Sequence, residues 1–283
     1  MFENRFYNSV VWIVLATIAV MLVSDVVGFV LLPQPHVDQP YFYTFMAYAS
    51  FLPLWGAVVL AIVAFSKNRY MLKVSFAQGG GNTFRNLAIG LLVGFLLNMA
   101  CAGVALLHGD VTLTFSTFGF FSVLGLFAVV FIQSSAEEAL CRGYMYQRLL
   151  NAKHKPALAI VGNAFFFAAI HLLNDGMSFL AFYDLMVTGL FFSLVVYYFD
   201  SLWMAMGIHT TWNFTQSILL GLPNSGASFP YSIFAVDSGL VQSSFAYNAA
   251  FGLEGTLLSA TIMTLCCVGL YYWKSYKPKA EQQ

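Results

Sequence analysis

The chain has 283 residues, 60% of them hydrophobic, 17% aromatic and only 8% charged, with twelve Lys or Arg against twelve Asp or Glu. Soluble domains run at about 45–50% apolar and 25% charged, so this composition excludes a water-soluble globule. A net charge of zero supplies no basic field for nucleic acid, and none is expected as a partner. The fold expected is all-α and polytopic, with the lipid bilayer as its surroundings.

Eight apolar runs approach or exceed the roughly 20 residues that a span requires. They are Val10–Leu32, Tyr43–Phe65, Leu87–Leu107, Phe118–Leu150, Ala157–Leu173, Ser178–Phe199, Leu202–Leu220 and Ala249–Trp273. The first reads as an anchor, because it is too long for a signal peptide and has no small-residue cleavage site behind it. Pro, Gly and polar residues collect between the runs, as in Gly79-Gly80-Gly81-Asn82. Without an internal repeat, residues 1–283 read as one integral-membrane domain whose motif-bearing core is about 118–217. Cys101, Cys141, Cys266 and Cys267 lie in or beside apolar runs, with neither a disulfide framework nor zinc-site spacing.

Charge predicts the orientation. Arg5, then Lys67, Arg69, Lys73 and Arg85, then Arg142, Arg148, Lys153 and Lys155, then Lys274, Lys277 and Lys279 all belong to alternate connectors. The opposite connectors carry only His36, Asp38, His108, Asp110, Asp175 and Asp237. By the positive-inside rule both termini are cytoplasmic. The size and bare termini fit a bacterial plasma membrane.

Run four, from Phe118 to Leu150, would measure about 50 Å as a helix, against a hydrocarbon core of about 30 Å. Its cytoplasmic end therefore projects or is sheltered inside the bundle. Inside it stand Glu137, Glu138 and Arg142, and an unpaired carboxylate at that depth costs a few kcal/mol. Glu138 and Arg142 share a helix face at i, i+4 and can pair, while Glu137 is turned about 100° away. Run five returns antiparallel, which brings His171 to a depth similar to that of Glu137. His209 and Asn213, again i, i+4, lie somewhat nearer the cytoplasmic face. A carboxylate beside an imidazole can take a proton from water, and two N–H donors on one face can hold an oxyanion.

Glu137-Glu138-x-x-x-Arg142, Phe167-x-x-x-His171 and His209-x-x-x-Asn213 resemble, in order, the three motifs of the CPBP family of intramembrane glutamic endopeptidases. That family includes the CAAX-processing type II proteases and the abortive-infection and bacteriocin-immunity-like proteins. The resemblance covers about 118–217. It implies that Glu137 with His171 activates water, that His209 and Asn213 form the oxyanion hole, and that Glu138 and Arg142 orient the site. It also implies a peptide or protein substrate, prenylated or otherwise lipid-modified in some members, approached from the cytoplasmic side. No cofactor is expected, although Glu137, His171 and His209 have the chemistry of zinc ligands.

Two other classes compete. A non-catalytic immunity or binding protein would keep the same fold with the polar cluster as a structural pin, and a transporter would use the charges for proton coupling. No inverted repeat or pair of broken helices supports the latter. Asp25 and Asp184 are expected near the outer face within reach of water, and Gln133, Asn98 and Asn163 as interhelical contacts.

Overall fold

In lipid each backbone polar group must find its partner within the protein, so apolar runs close their hydrogen bonds as helices. The computed structural model describes residues 6–33 and 35–276. Arg5, Lys277 and Lys279 of the charge pattern lie outside them. In chain order the helices are α1 Val10–Leu31, α2 Pro40–Ala49, α3 Leu52–Ala64, α4 Phe84–His108, α5 Phe120–Glu138, α6 Tyr146–Asn151, α7 Pro156–Ala169, α8 Phe179–Phe199, α9 Leu202–Asn213 and α10 Leu257–Tyr276. Ser9, Thr83, Ser178 and Ser201 cap α1, α4, α8 and α9, each side chain accepting a first-turn N–H. Pro53 has no N–H to give to the preceding turn, and the chain breaks between α2 and α3 there. A small antiparallel ribbon, β1 Leu113–Phe115 with β2 Phe234–Val236, joins two connectors.

Among the described residues six stretches are long and apolar enough to cross a membrane: Val10–Leu31, Pro40–Ala64, Phe84–His108, Phe120–Asn151, Phe179–Phe199 and Leu257–Lys274. The fifth and seventh of the eight expected runs are shorter. Run five is α7, of 14 residues, and run seven is α9, of 12 residues followed by a wide π turn at Phe214–Leu219. α9 is buried along nearly its whole length, whereas α7 buries Asn163 on one face and leaves Leu158, Val161 and Phe165 exposed on the other. Run eight starts at Leu257 and not at Ala249, because Gly252 and Gly255 hold positive φ (105° and 81°) that a helix cannot use.

α4 and α9 touch backbone to backbone. A Cβ on Gly90 would lie 2.3 Å from the Met204 carbonyl oxygen, and one on Gly94 would lie 2.1 Å from that of Ile208. Small residues at i, i+4 allow such an approach between membrane helices. Thr211 Oγ1 donates to the Leu91 carbonyl at 2.7 Å and Asn98 Nδ2 donates to Gln216 Oε1 at 2.8 Å, which locks the pair in register. The helix that carries His209 is thereby fixed.

The connectors collect at two ends as the alternation of charge predicts. At one end Tyr7 bonds Asn68, Arg148 bonds the Tyr7 carbonyl, His154 meets the Asn8 carbonyl, and Asn82 accepts from the Trp203 N–H. At the other lie the β1–β2 ribbon, the bond from Asn174 to the Ser225 carbonyl, and the bond from the Tyr231 N–H to Thr44.

Candidate active site

The polar half of α5 is Gln133–Glu138, and every residue in it is buried. Immediately beyond Glu138 the helix widens into a π turn, Ala139–Met145, before α6 resumes. Neighbouring side chains occupy two of its carbonyls. Asn163 Nδ2 donates to Cys141 at 2.5 Å and Ser75 Oγ donates to Gly143 at 3.2 Å. Such inserted donors are a recognised cause of helix widening, and π turns recur at functional sites.

Glu138 and Arg142 form the expected pair, Nη1 to Oε1 at 3.0 Å, with both side chains fully buried. Arg142 also donates to the Gly189 carbonyl at 2.8 Å, and its guanidinium lies over the rings of Phe167 (4.7 Å) and Phe192 (5.4 Å). The same Glu138 oxygen takes His209 Nδ1 at 3.0 Å. His209 stacks on Phe192 at 5.3 Å and meets Phe167 edge-on at 6.0 Å. Phe167 of the second motif is thus a wall for both the guanidinium and the imidazole.

With Nδ1 held by Glu138, His209 turns Nε2 toward Glu137 Oε2, 3.8 Å away. That gap suits a bridging water better than a direct bond. The other Glu137 oxygen accepts from Gln133 Nε2 at 2.6 Å. His171 stands in the turn beyond α7, where Nδ1 donates to the Phe167 carbonyl at 2.7 Å, leaving Nε2 as the lone-pair atom. Asn213 Nδ2 donates to Gln133 Oε1 at 3.0 Å and Ser134 Oγ at 3.2 Å. A cavity of about 170 Å³ is lined by Glu137, His171, His209 and Asn213 together. Within ion-pair distance, however, the imidazole that meets Glu137 is His209 and not His171. Among the described residues no group of three or more His, Cys, Asp or Glu side chains is arranged to hold a metal ion.

Three features escaped the sequence reading. Gln133 bridges Glu137 to Asn213 and is more than an interhelical contact. Its spacing of four from Glu137 was the available signal. Glu254 closes the cavity from the connector after α9, accepting from Trp212 Nε1 and Gln216 Nε2 at 2.6 Å each and from the Ser225 N–H at 3.4 Å. Burial pushes its carboxyl up while these donors pull it back down. It is the sole charged residue between Gln242 and Trp273, a signal hidden by the apolar run around it. The third is the Gly90-x-x-x-Gly94 stripe on α4. Asp184 departs from expectation. It is fully buried and accepts the Gly255 N–H at 2.9 Å, whereas Asp25 is exposed on α1.

Residues 118–215 match the family Type II CAAX prenyl endopeptidase Rce1-like, a family of proteases consistent with the CPBP motifs. No curated protein and no solved structure matches the chain. The chain is a multi-pass membrane protein, and its α5–α9 segment, residues 118–215, is similar to the Rce1-like type II CAAX prenyl endopeptidase family.

Proposed function

We propose that the chain is an intramembrane endopeptidase that hydrolyses a peptide bond of a membrane-associated substrate, lipid-modified substrates included, without a metal. The observation that carries this reading is Glu137 Oε2, which faces His209 Nε2 across 3.8 Å at the buried floor of a cavity roomy enough for water. Glu137 takes a proton from a water, and the hydroxide oxygen bonds to the scissile carbonyl carbon. His209, held at Nδ1 by Glu138, turns Nε2–H toward the oxyanion that develops. His171, in the wall of the same cavity as Glu137, takes the proton on its Nε2 lone pair and relays it to the departing amine. Asn213 becomes the second oxyanion donor when the substrate oxygen replaces Gln133 or Ser134 as its acceptor. Glu138 and Arg142 hold the His209 ring in place.

The test uses wild type, Glu137→Gln and His171→Ala purified in detergent, given plain and isoprenylated fluorogenic peptides with and without chelator. Glu137→Gln is expected to lose about 10²–10⁴-fold in rate, with its thermal unfolding unchanged. Full activity in that variant overturns the assignment. Activity lost to chelator and restored by zinc moves the same residues into a metal site. No cleavage by wild type of any peptide favours the non-catalytic binding reading.

A further inference from the structure

Two of the groups that line the cavity with Glu137 are carried by separate segments. Asn213 ends α9, and His171 stands in the turn after α7. Their separation depends on what joins the end of α9 to that turn. The joining group is Glu254, a buried carboxylate in the cavity wall that takes no part in the hydrolytic steps above. It lies in connector 220–256, well beyond the stretch 118–215 that matches the family.

Toward α9, Glu254 Oε1 accepts from Trp212 Nε1 and Oε2 accepts from Gln216 Nε2, at 2.6 Å each. Trp212 directly precedes Asn213, and Gln216 lies in the π turn that follows it. Toward α7, Oε2 also accepts the Ser225 N–H at 3.4 Å, and the Ser225 carbonyl accepts Asn174 Nδ2 at 2.8 Å. The Asn174 N–H closes in turn on the His171 carbonyl at 3.0 Å. Ser225 has a φ of 47°, in the left-handed region that a residue with a side chain keeps only where its surroundings hold it.

The segments around this node are in backbone contact. A Cβ on Gly226 would stand 2.2 Å from the Asp175 carbonyl oxygen, and one on Gly252 would stand 2.0 Å from that of Pro223. Asp184 Oδ2 accepts the Gly255 N–H at 2.9 Å, which pins the residue after Glu254 to α8. Packing this close leaves no slack, so a displacement at Glu254 passes to both turns.

Trp212, Gln216 and Ser225 all donate to Glu254, which suits a carboxylate and not an amide. Gln216 has no free flip to offer, because its Oε1 already accepts from Asn98 and its Nε2 also donates to the Pro223 carbonyl. Resting on the hydrolytic reading above, we propose that Glu254 is a positioning residue that couples the end of α9 to the turn after α7. It thereby fixes the separation of Asn213, the oxyanion donor, from His171, the proton relay. Misplacing a reacting group by about 1 Å can cost about 100-fold in rate.

The test compares full-length wild type, Glu254→Gln, Trp212→Phe, Asn174→Ala and Asp237→Asn in detergent, with plain and isoprenylated fluorogenic peptides. Isotope-labelled tryptophan and histidine report the Trp212 indole and His171 imidazole by NMR, assigned from Trp212→Phe and His171→Ala. Glu254→Gln is expected to lose about tenfold in kcat with little change in KM, and to shift both resonances although it does not touch His171. Asp237→Asn removes an exposed carboxylate of the same connector and keeps the cap on Gly239, so it should behave as wild type. Wild-type kcat in Glu254→Gln overturns the proposal. So does a loss of activity that only follows the folded fraction, with the His171 resonance in place. If Glu254→Gln does not fold, Trp212→Phe and Asn174→Ala cut the two arms separately. A double variant that loses less than the product of the two single losses upholds the coupling, and multiplying losses overturn it. Wild type that cleaves no peptide defeats the hydrolytic reading alone. The joint shift of Trp212 and His171 in Glu254→Gln then still upholds the coupling, and an unmoved His171 overturns it.

Discussion

Glu137 and Glu138 are consecutive on one helix and live in opposite surroundings. Glu138 points into the sealed side of α5, where one oxygen takes both Arg142 and His209, and the surrounding walls are rings. Glu137 points to the open side, with a single hydrogen bond from Gln133 and a loose approach to His209 over the cavity. The sealed side balances charge and fixes geometry. The open side leaves a carboxylate oxygen facing the cavity. A rotation of about 100° per residue is enough to separate scaffold from chemistry.

The contrast can be broken most severely on the sealed side. Arg142→Met leaves the buried Glu138 with His209 as its one remaining partner, and removing one member of a buried pair costs about 3–5 kcal/mol. Thermal unfolding in detergent is expected to show this loss, whereas Glu137→Gln leaves the melting curve in place. Gly94→Ala strikes the support of α9, since its new Cβ would meet the Ile208 carbonyl oxygen and Thr211 Oγ1 at 2.1 and 2.4 Å. Overpacking of this kind costs about 1–3 kcal/mol. Because α9 must shift, His209 moves relative to both carboxylates, and activity is expected to fall more steeply than stability.

Gln133→Leu sharpens the comparison from the open side. It removes the hydrogen bond to Glu137 and those from Asn213 and Ser134, so stability drops by about 1–2 kcal/mol. Turnover should fall with little change in KM, because the lost contacts orient the base rather than bind substrate. Thr211→Val is the mildest. It deletes the bond to the Leu91 carbonyl, and such interhelical bonds average about 0.6 kcal/mol. A small decrease in melting temperature with near wild-type turnover is the expected result.

Legibility followed the range of the interactions. The Glu138–Arg142 pair was readable because i, i+4 on a helix is a local relation, and the structure has it at 3.0 Å. The depth argument for His171 brought it to the same cavity as Glu137, but depth fixes height and not azimuth, and it is His209 that meets the carboxylate. The π turns at Ala139–Met145 and Phe214–Leu219 were beyond reach for a related reason. At the first of them the carbonyls are taken by donors far away in the chain, Ser75 and Asn163.

The amino-acid sequence by itself determined the all-α membrane class, the alternation of basic connectors with connectors that lack Lys and Arg, and the identity of the polar residues carried inward. Composition, helical spacing and charge count are properties of the chain that hold before any packing. Only the tertiary structure decided which imidazole faces Glu137 and that the connector after α9 folds back to seat Glu254 in the cavity wall. Each of these depends on side chains from different helices meeting across space, and their directions are set by close contacts such as Gly90 and Gly94 against α9.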